Sequence, residues 1–173
     1  MKKLIVGLKI FSLSLLLVSC GYKPSSEYTS EILGNKIETN VEIDVKNPID
    51  SIYLKDALNE AVLNVFNARI AKDSYTSKIK LDIVSSKLNI IDYDKDGYPV
   101  LYRADVEIKA YVTDVNNTTS VYTGRGSYDF SISSNSVLSD NLQHNAIKEA
   151  FLQALQEIEF KIAQKGIDDS RDK

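Results

Sequence analysis

Few residues in this sequence have side chains that could perform chemistry. His144 is the only histidine and Cys20 the only cysteine. A single histidine supplies too few ligands for a histidine-rich metal site, and no Gly-x-Ser-x-Gly segment marks one of the many serines as a nucleophile. Asp and Glu residues are plentiful but scattered over predicted solvent-facing positions. The sequence therefore predicts a protein that is not an enzyme and that needs no cofactor.

The segment Asp92–Gly97 matches the opening of a calcium-binding EF-hand loop and is the only candidate metal site in the sequence. The twelfth position of such a loop supplies a bidentate carboxylate, but counting from Asp92 that position is Arg103. The segment also separates two predicted strands, whereas an EF-hand loop joins two helices. These departures favour a plain Asp/Gly hairpin turn over the alternative of calcium binding.

A second short motif, Gly124–Gly126, is too short to cradle a phosphate group. It lies within a predicted strand, with no helix behind it to supply a positive dipole. We expect these glycines to let a helix approach closely or to mark a bend. His144 falls in the first turn of a predicted helix, where we expect an exposed side chain.

The N-terminal segment has the layout of an export signal. Lys2 and Lys3 precede an apolar run from Ile10 to Val18 that only two serines interrupt. Nine residues rise about 14 Å as a helix, roughly half of a bilayer core, so the run is too short to span a membrane. We expect residues 1–19 to be cleaved.

Cys20 follows an aliphatic Leu17 and a small Ser19, and this order resembles the lipobox of bacterial lipoproteins. The resemblance implies that Cys20 becomes the first mature residue and carries acyl chains on its sulfur and its amine, which hold it to a membrane. An acylated sulfur cannot form a disulfide or a Cys/His pair. Because Gly21 and Tyr22 follow, with no acidic residue, the resemblance implies the periplasmic side of the outer membrane. The alternative is a core cysteine in an ordinary hydrophobic helix.

The length and charge of the mature chain limit the kind of protein that it can be. Removal of residues 1–19 leaves 154 of the 173 residues, enough for one domain with a core. Cleavage also lowers the net charge from −3 to about −6, because three lysines leave with the signal. An acidic chain argues against nucleic-acid binding. Ten tyrosines without any tryptophan indicate either a contact surface or tyrosine-rich strands.

Apolar periodicity predicts six regular elements after a coil-like tether at 20–35. Alternating apolar and polar residues predict strands, and apolar residues three and four apart predict helices. A slip in the alternation predicts a bulge near Ser85-Ser86. The elements are a strand at Lys36–Val45, a helix at Ser51–Ile70 with Asp50 or Ser51 as N-cap, strands at Lys78–Leu88, Val100–Val112 and Val121–Ile132, and a helix from an Asp140 cap to a Gly166 C-cap.

The order β-α-β-β-β-α predicts an α+β two-layer sandwich in a single domain at 36–166, followed by a flexible tail at 167–173. Four strands form one mixed sheet, and two long helices cover one of its faces. The other face stays polar and is the candidate binding surface. The basic residues of that face and of the hairpin tips are Lys78, Lys80, Lys87, Lys95, Arg103, Lys109 and Arg125.

The segment Tyr102–Ala110 is similar to the central strand of the lipopolysaccharide-assembly lipoprotein family, known as LptE or RlpB. The cysteine-glycine-aromatic start, the short tether and the element order also resemble this family, over nearly all of the mature chain. The resemblance implies no catalysis. It implies a plug that sits inside the outer-membrane β-barrel protein LptD, helps that barrel fold and binds lipopolysaccharide. Arg103 and Arg125, facing outward on neighbouring strands, are the candidate phosphate contacts.

A second hypothesis gives the same anchored domain a periplasmic partner, so that it scaffolds or activates a cell-wall enzyme. One observation weighs against the first hypothesis: the mature chain is acidic, whereas a protein that binds phosphate strongly, as direct affinity for lipopolysaccharide requires, usually carries a basic patch. A third hypothesis, a lipid-anchored periplasmic hydrolase, lacks the residues to support it.

Overall fold

A computed structural model describes residues 25–42 and 48–171 of the chain. The predicted signal at 1–19, the predicted lipidation site Cys20 and the last part of the first predicted strand lie outside the described residues. Within these ranges, no helix is both long enough and apolar enough to cross a membrane.

The described residues form three helices and five strands. In chain order these are α1 (Ser25–Leu33), β1 (Lys36–Val41), α2 (Pro48–Asn64), β2 (Arg69–Ile70), β3 (Ser77–Tyr93), β4 (Pro99–Thr113), β5 (Thr119–Ser131) and α3 (Asp140–Arg171). The strands make one sheet in the order β2-β1-β3-β4-β5. Strand β1 is parallel to β2 and β3, and the β3–β4 and β4–β5 pairs are antiparallel. The α+β class with a mixed sheet is confirmed, with five strands instead of four.

Helix α2 begins earlier and ends earlier than predicted. It starts at Pro48, a residue that suits the first helical position because its missing N–H would have no partner there, and Asp50 and Ser51 are buried within the first turns. The helix ends at Asn64, and Asn67 adopts a left-handed φ of 50° that stops its continuation. Arg69–Ile70 then pair with β1, which supplies the fifth strand.

The coil-like tether predicted for 20–35 is wrong for residues 25–33, which form α1. Thr29 and Leu33 of this helix are fully buried. The Thr29 hydroxyl donates to the Glu159 carboxylate of α3 at 2.8 Å. The sequence did not predict α1, because a nine-residue helix that packs mainly against one other helix buries only two positions fully and so shows no clear apolar periodicity.

The predicted C-cap at Gly166 and the predicted flexible tail from Ile167 are wrong through Arg171, because α3 continues to that residue. Gly166 instead makes room for α1. A Cβ at this position would lie 3.0 Å from the Ile32 side chain and 3.3 Å from the Tyr28 carbonyl oxygen. The small residue therefore reflects close helix packing.

The core lies between the sheet and helices α2 and α3. Every second residue of β4 is buried, and Leu54 and Leu58 of α2 and Phe151 and Leu155 of α3 are fully enclosed. Each such large apolar side chain contributes about 1.5–3 kcal/mol on burial. The buried β4 residues of this face are Tyr102, Ala104, Val106, Ile108, Ala110 and Val112.

Gly124 and Gly126 of β5 let α3 lie directly against the sheet. A Cβ at Gly126 would overlap the Ala150 carbonyl oxygen, and one at Gly124 would overlap the Ala154 carbonyl oxygen. The predicted close approach of a helix is confirmed. Because the later glycine meets the earlier helix residue, α3 runs antiparallel to β5.

The bulge predicted near Ser85-Ser86 is confirmed by a register shift in β3 between Ile83 and Ser85. Before the bulge, odd-numbered residues such as Leu81 face the helices. After it, even-numbered residues such as Leu88 do so, opposite Ala104 of β4. The bulge therefore turns Ser85, Lys87 and Asn89 onto the other side of the sheet.

Candidate binding surface on the open sheet face

The open sheet face is the side of β3, β4 and β5 that no helix covers. The strand registers align its side chains in rows across the three strands. One row joins Asn89, Arg103 and Asp129, the next joins Lys87, Asp105 and Ser127, and a third joins Ser85, Glu107 and Arg125. Oppositely charged or hydrogen-bonding groups thus stand directly opposite one another.

Arg103 makes a two-pronged ion pair with Asp129 across the β4–β5 ladder. Its Nε donates to Oδ1 at 2.6 Å and its Nη2 donates to Oδ2 at 2.7 Å. The hydrogen bond from Arg103 holds the pKa of Asp129 below its ordinary value and raises the pKa of the guanidinium. Both side chains are nearly half exposed, so the pair orders the surface more than it stabilises the fold.

Arg125 makes a looser pair with Glu107, with both guanidinium contacts at 3.2 Å. The Arg125 side chain is 71% exposed, and its hydrogen bond to Glu107 raises its pKa. The backbone N–H of Arg125 donates to Oε2 of Glu157 on α3 at 2.6 Å. The pKa of Glu157 is lowered first by the hydrogen bond from Lys161 and then by this N–H.

Side chains of α3 cover part of the free edge of β5. Besides Glu157, Gln153 accepts a hydrogen bond from the Ser127 N–H at 3.3 Å, and Lys161 donates to the Thr123 carbonyl at 2.6 Å. Unpaired backbone groups on an edge strand invite pairing with another chain. The helix therefore blunts this edge and leaves the open sheet face as the accessible surface.

A shallow groove of about 390 Å³ lies on this face beside Lys87, Asp105 and Arg125. Asp105 accepts hydrogen bonds from Asn89 at 2.8 Å and from Ser127 at 2.6 Å. Among the residues that the structure describes, no hydrogen bond or ion pair engages the Lys87 ammonium. The groove thus combines one exposed cation without a partner with one cation that is paired only loosely.

The structure places both predicted arginines on the open sheet face but does not bring them to one site. Arg125 lines the groove, whereas Arg103 lies outside it and is held by Asp129. Phosphate contact by either residue stays a prediction. Their acidic partners were missed, because the register that sets position 103 against 129 and 107 against 125 is centred on Asn116 itself, and a turn centred between Asn116 and Asn117 would have given pairs one residue off.

Near β1 the same face carries further ion pairs. Lys80 contacts Glu42, and this hydrogen bond lowers the pKa of Glu42 and raises that of Lys80. Lys80 also lies 5.6 Å from the centre of the Tyr111 ring. Lys78 pairs with Glu38 at 3.0 Å. The result is a flat polar surface of alternating charge, suited to binding a polar partner rather than to enclosing a reaction.

The remaining sequence motifs have structural roles. Asp94 Oδ1 accepts the backbone N–H groups of Asp96 and Tyr98 at 2.9 Å and so closes the β3–β4 turn. Within the described ranges, no cluster of three or more His, Cys, Asp or Glu residues could hold a metal. His144 was expected to be exposed, but it is half-buried and stacks on Tyr53 of α2 at 4.6 Å between ring centres.

No family model matches the chain, and no curated protein matches it significantly. Among solved structures, it is similar to a putative lipoprotein from Caulobacter crescentus, with a TM-score of 0.54 at 12% identity over 84% of this chain and 96% of that one. It also matches lipoprotein B from Nitrosomonas europaea (TM-score 0.48, 12% identity, 78% and 88% covered) and rare lipoprotein B from Shewanella oneidensis (0.41, 11%, 80% and 95%). These neighbours are bacterial lipoproteins, and the Caulobacter protein shares the fold of this chain.

Proposed function

We propose that this chain is an outer-membrane lipoprotein, acylated at Cys20, that assists lipopolysaccharide assembly at the cell surface. In this role it acts as the plug and folding partner of the β-barrel protein LptD. The sequence supports the anchor, because Leu17, Ser19 and Cys20 stand in lipobox order after an apolar run. The shared fold with a putative lipoprotein supports the same class.

The observation that carries the proposal is the open sheet face with its rows of paired charges. The lumen of an outer-membrane barrel is polar, because its strands turn apolar side chains outward to lipid. A flat surface whose cations and anions are mostly matched enters such a lumen with few buried charges left unpaired. An apolar open face would not suit this environment.

The same face offers a route to lipopolysaccharide. Lys87 and the loosely held Arg125 line one groove, and guanidinium groups bind phosphate in the same two-pronged geometry as carboxylate. A phosphate would then replace Glu107 as the partner of Arg125. Arg103 is the weaker candidate, because its contacts to Asp129 are shorter.

The test is to purify the full acylated protein from outer membranes in mild detergent and to identify co-purifying proteins by mass spectrometry. A large β-barrel in stoichiometric amount is the expected result. The variant Arg125→Glu, which sets two acids side by side, should weaken the association. The exchange Glu107→Arg with Arg125→Glu, which keeps the pair, is its matched control.

The alternative function predicts a different outcome of the same experiment. Recovery of the protein alone, or with a cell-wall enzyme, would overturn the plug assignment and favour the scaffold. Depletion of the protein separates the two further. Loss of an assembly factor should make cells sensitive to large hydrophobic antibiotics, whereas loss of a wall scaffold should change cell shape.

A further inference from the structure

A second cleft lies at the end of the domain that holds the β4–β5 turn, and we call it the turn cleft. Its volume is about 310 Å³, at the lower end of the range for small-ligand sites. One wall is the start of β3 with the two residues before it, and the other is the end of β4 with the turn that follows. Its polar lining includes Tyr75, Ser77, Lys78, Asp114 and Asn117.

Both walls of the turn cleft are fixed to the end of α1 or to the chain that follows it. The Thr76 hydroxyl lies within hydrogen-bond distance of the carbonyl oxygens of Leu33 and Lys36, at 2.9 and 2.7 Å. The Val115 N–H donates to the Ile32 carbonyl at 3.0 Å. A cleft whose walls are already ordered loses little conformational entropy when a ligand enters it.

Ser77 is the most buried polar residue of the lining. It is 2% exposed, and its hydroxyl has no hydrogen-bond partner among the residues that the structure describes. Buried hydroxyl groups in folded proteins are nearly always hydrogen-bonded, because leaving one without a partner is unfavourable. A ligand hydroxyl that reached the inner part of the turn cleft would supply the missing partner.

The outer part of the turn cleft holds polar groups that the described part of the chain leaves unoccupied. No hydrogen bond within the described ranges engages the Tyr75 hydroxyl or the Asn117 amide. Asp114 accepts the backbone N–H groups of Asn116 and Thr118 at 2.9 Å through Oδ1 alone, so its Oδ2 is available. The Tyr75 side chain is 46% exposed. The cleft therefore offers donors, acceptors and an aromatic ring together.

The charges of the turn cleft favour a neutral ligand. Lys78 is paired with Glu38 at 3.0 Å, so it provides no free cation to select an anion. A sugar hydroxyl both donates and accepts hydrogen bonds. It can therefore donate to Asp114 and accept from the Asn117 amide, while the apolar C–H face of the sugar ring packs on the Tyr75 ring.

We infer that the turn cleft binds one sugar ring of a cell-envelope glycan. The inference rests on export of the chain in the proposed function, but not on partnership with LptD. An envelope offers two sources of such a ring, the saccharide of lipopolysaccharide and the glycan of the cell wall. The chemistry of the cleft suits both, and the experiment separates them.

The test is saturation-transfer NMR on the full acylated protein in micelles of lauryldimethylamine oxide, because a detergent with a sugar headgroup would compete for the cleft. One probe is the core oligosaccharide released from lipopolysaccharide. The other is the disaccharide of N-acetylglucosamine and N-acetylmuramic acid from the cell wall. We expect saturation of the ring protons of one of these probes, and the probe that binds identifies the source.

Variants then locate the bound probe. Tyr75→Ala should lower its affinity about tenfold, whereas Tyr75→Phe keeps the ring and should retain most of the affinity. Asn117→Gly removes the amide but keeps the left-handed turn, whose φ is 61°, because glycine adopts this conformation freely. It should weaken binding several-fold. The matched control is Tyr98→Ala in the β3–β4 turn, a tyrosine of similar exposure (51%), which should leave binding unchanged.

Ser77→Ala adds a readout that a merely structural role would not move. Its affinity for the probe should fall several-fold, while its thermal stability stays that of the parent protein, because the hydroxyl has no partner to lose.

Two results would overturn the inference. One is that neither probe receives saturation. The other is that a probe binds equally well to Tyr75→Ala, Asn117→Gly and the parent protein, including the case in which Arg125→Glu abolishes binding and so places the sugar in the groove beside Lys87. Neither result bears on co-purification with a β-barrel, which tests the proposed function separately.

Discussion

The two faces of the sheet are ordered by different interactions. On the helix face, β4 buries an unbroken row of apolar residues, and glycines at 124 and 126 bring α3 into backbone contact. On the open sheet face, the same strands place arginine opposite aspartate or glutamate, at positions that are 29–71% exposed. Close packing of apolar side chains determines the arrangement of the helix face, and pairing of opposite charges determines that of the open sheet face.

This difference separates stability from binding. Close packing tolerates neither added nor missing volume, so the helix face fixes the fold and leaves little freedom for change. Exposed ion pairs contribute little to folding, so the open sheet face can exchange partners without unfolding the domain. A surface that binds needs this second property.

The largest expected loss of stability is that caused by Gly126→Ala. The added Cβ would overlap the Ala150 carbonyl oxygen, and the resulting shift of α3 should destabilise the protein by about 3 kcal/mol, at the upper end for overpacking. Urea unfolding followed by circular dichroism measures this. The adjacent Ser127→Ala, on the open sheet face, is the control and should change stability by no more than about 0.5 kcal/mol. Similar losses for both variants would erase the contrast between the faces.

A smaller effect is expected where the helix layer uses a polar contact. Glu159→Ala removes the buried acceptor of the Thr29 hydroxyl and should cost about 2 kcal/mol. Amide hydrogen exchange of α1 should rise more than that of α3. Glu159→Gln keeps an acceptor oxygen and should retain most of the protection. If both variants leave α1 protected, this hydrogen bond does not hold the helix in place.

The open sheet face should respond more weakly still. In a double-mutant cycle of Arg103→Ala and Asp129→Ala, we expect a small favourable coupling that high salt reduces, because the pair is exposed. Thermal unfolding at low and high salt measures it. A large coupling that salt does not change would mean that this face contributes to the fold as the helix face does.

The smallest effect is a pH dependence. The hydrogen bond from Arg103 lowers the folded-state pKa of Asp129, so its contribution to stability is present above the ordinary aspartate pKa of about 3.9. That contribution is lost as the pH falls through the lowered value. Asp129→Asn should therefore be slightly less stable than the parent protein at pH 7, and the difference should vanish as the pH falls below the lowered folded-state pKa. A difference that grows with acidity would contradict this sign.

Much of the fold could be predicted because each long helix or strand has a recognisable apolar periodicity within its own residues. The alternation in β4 and the parity slip at Ser85-Ser86 are properties of neighbouring residues, and both appear in the structure as expected. The candidate binding surface was harder to predict from the sequence. Arg103 and Arg125 were identified, but their partners Asp129 and Glu107 depend on a register between two strands.

The sequence by itself predicted the α+β class, which the structure confirms, and it predicts an export signal and a lipobox-like order at Cys20, because all three depend on local composition and spacing. Only the tertiary structure decided that residues 25–33 form a helix, that α3 continues past Gly166, and that Arg125 lies beside Lys87. Each of these depends on a contact between residues distant in the chain. The burial of Thr29 against Glu159, 130 residues away, has no counterpart in any local pattern.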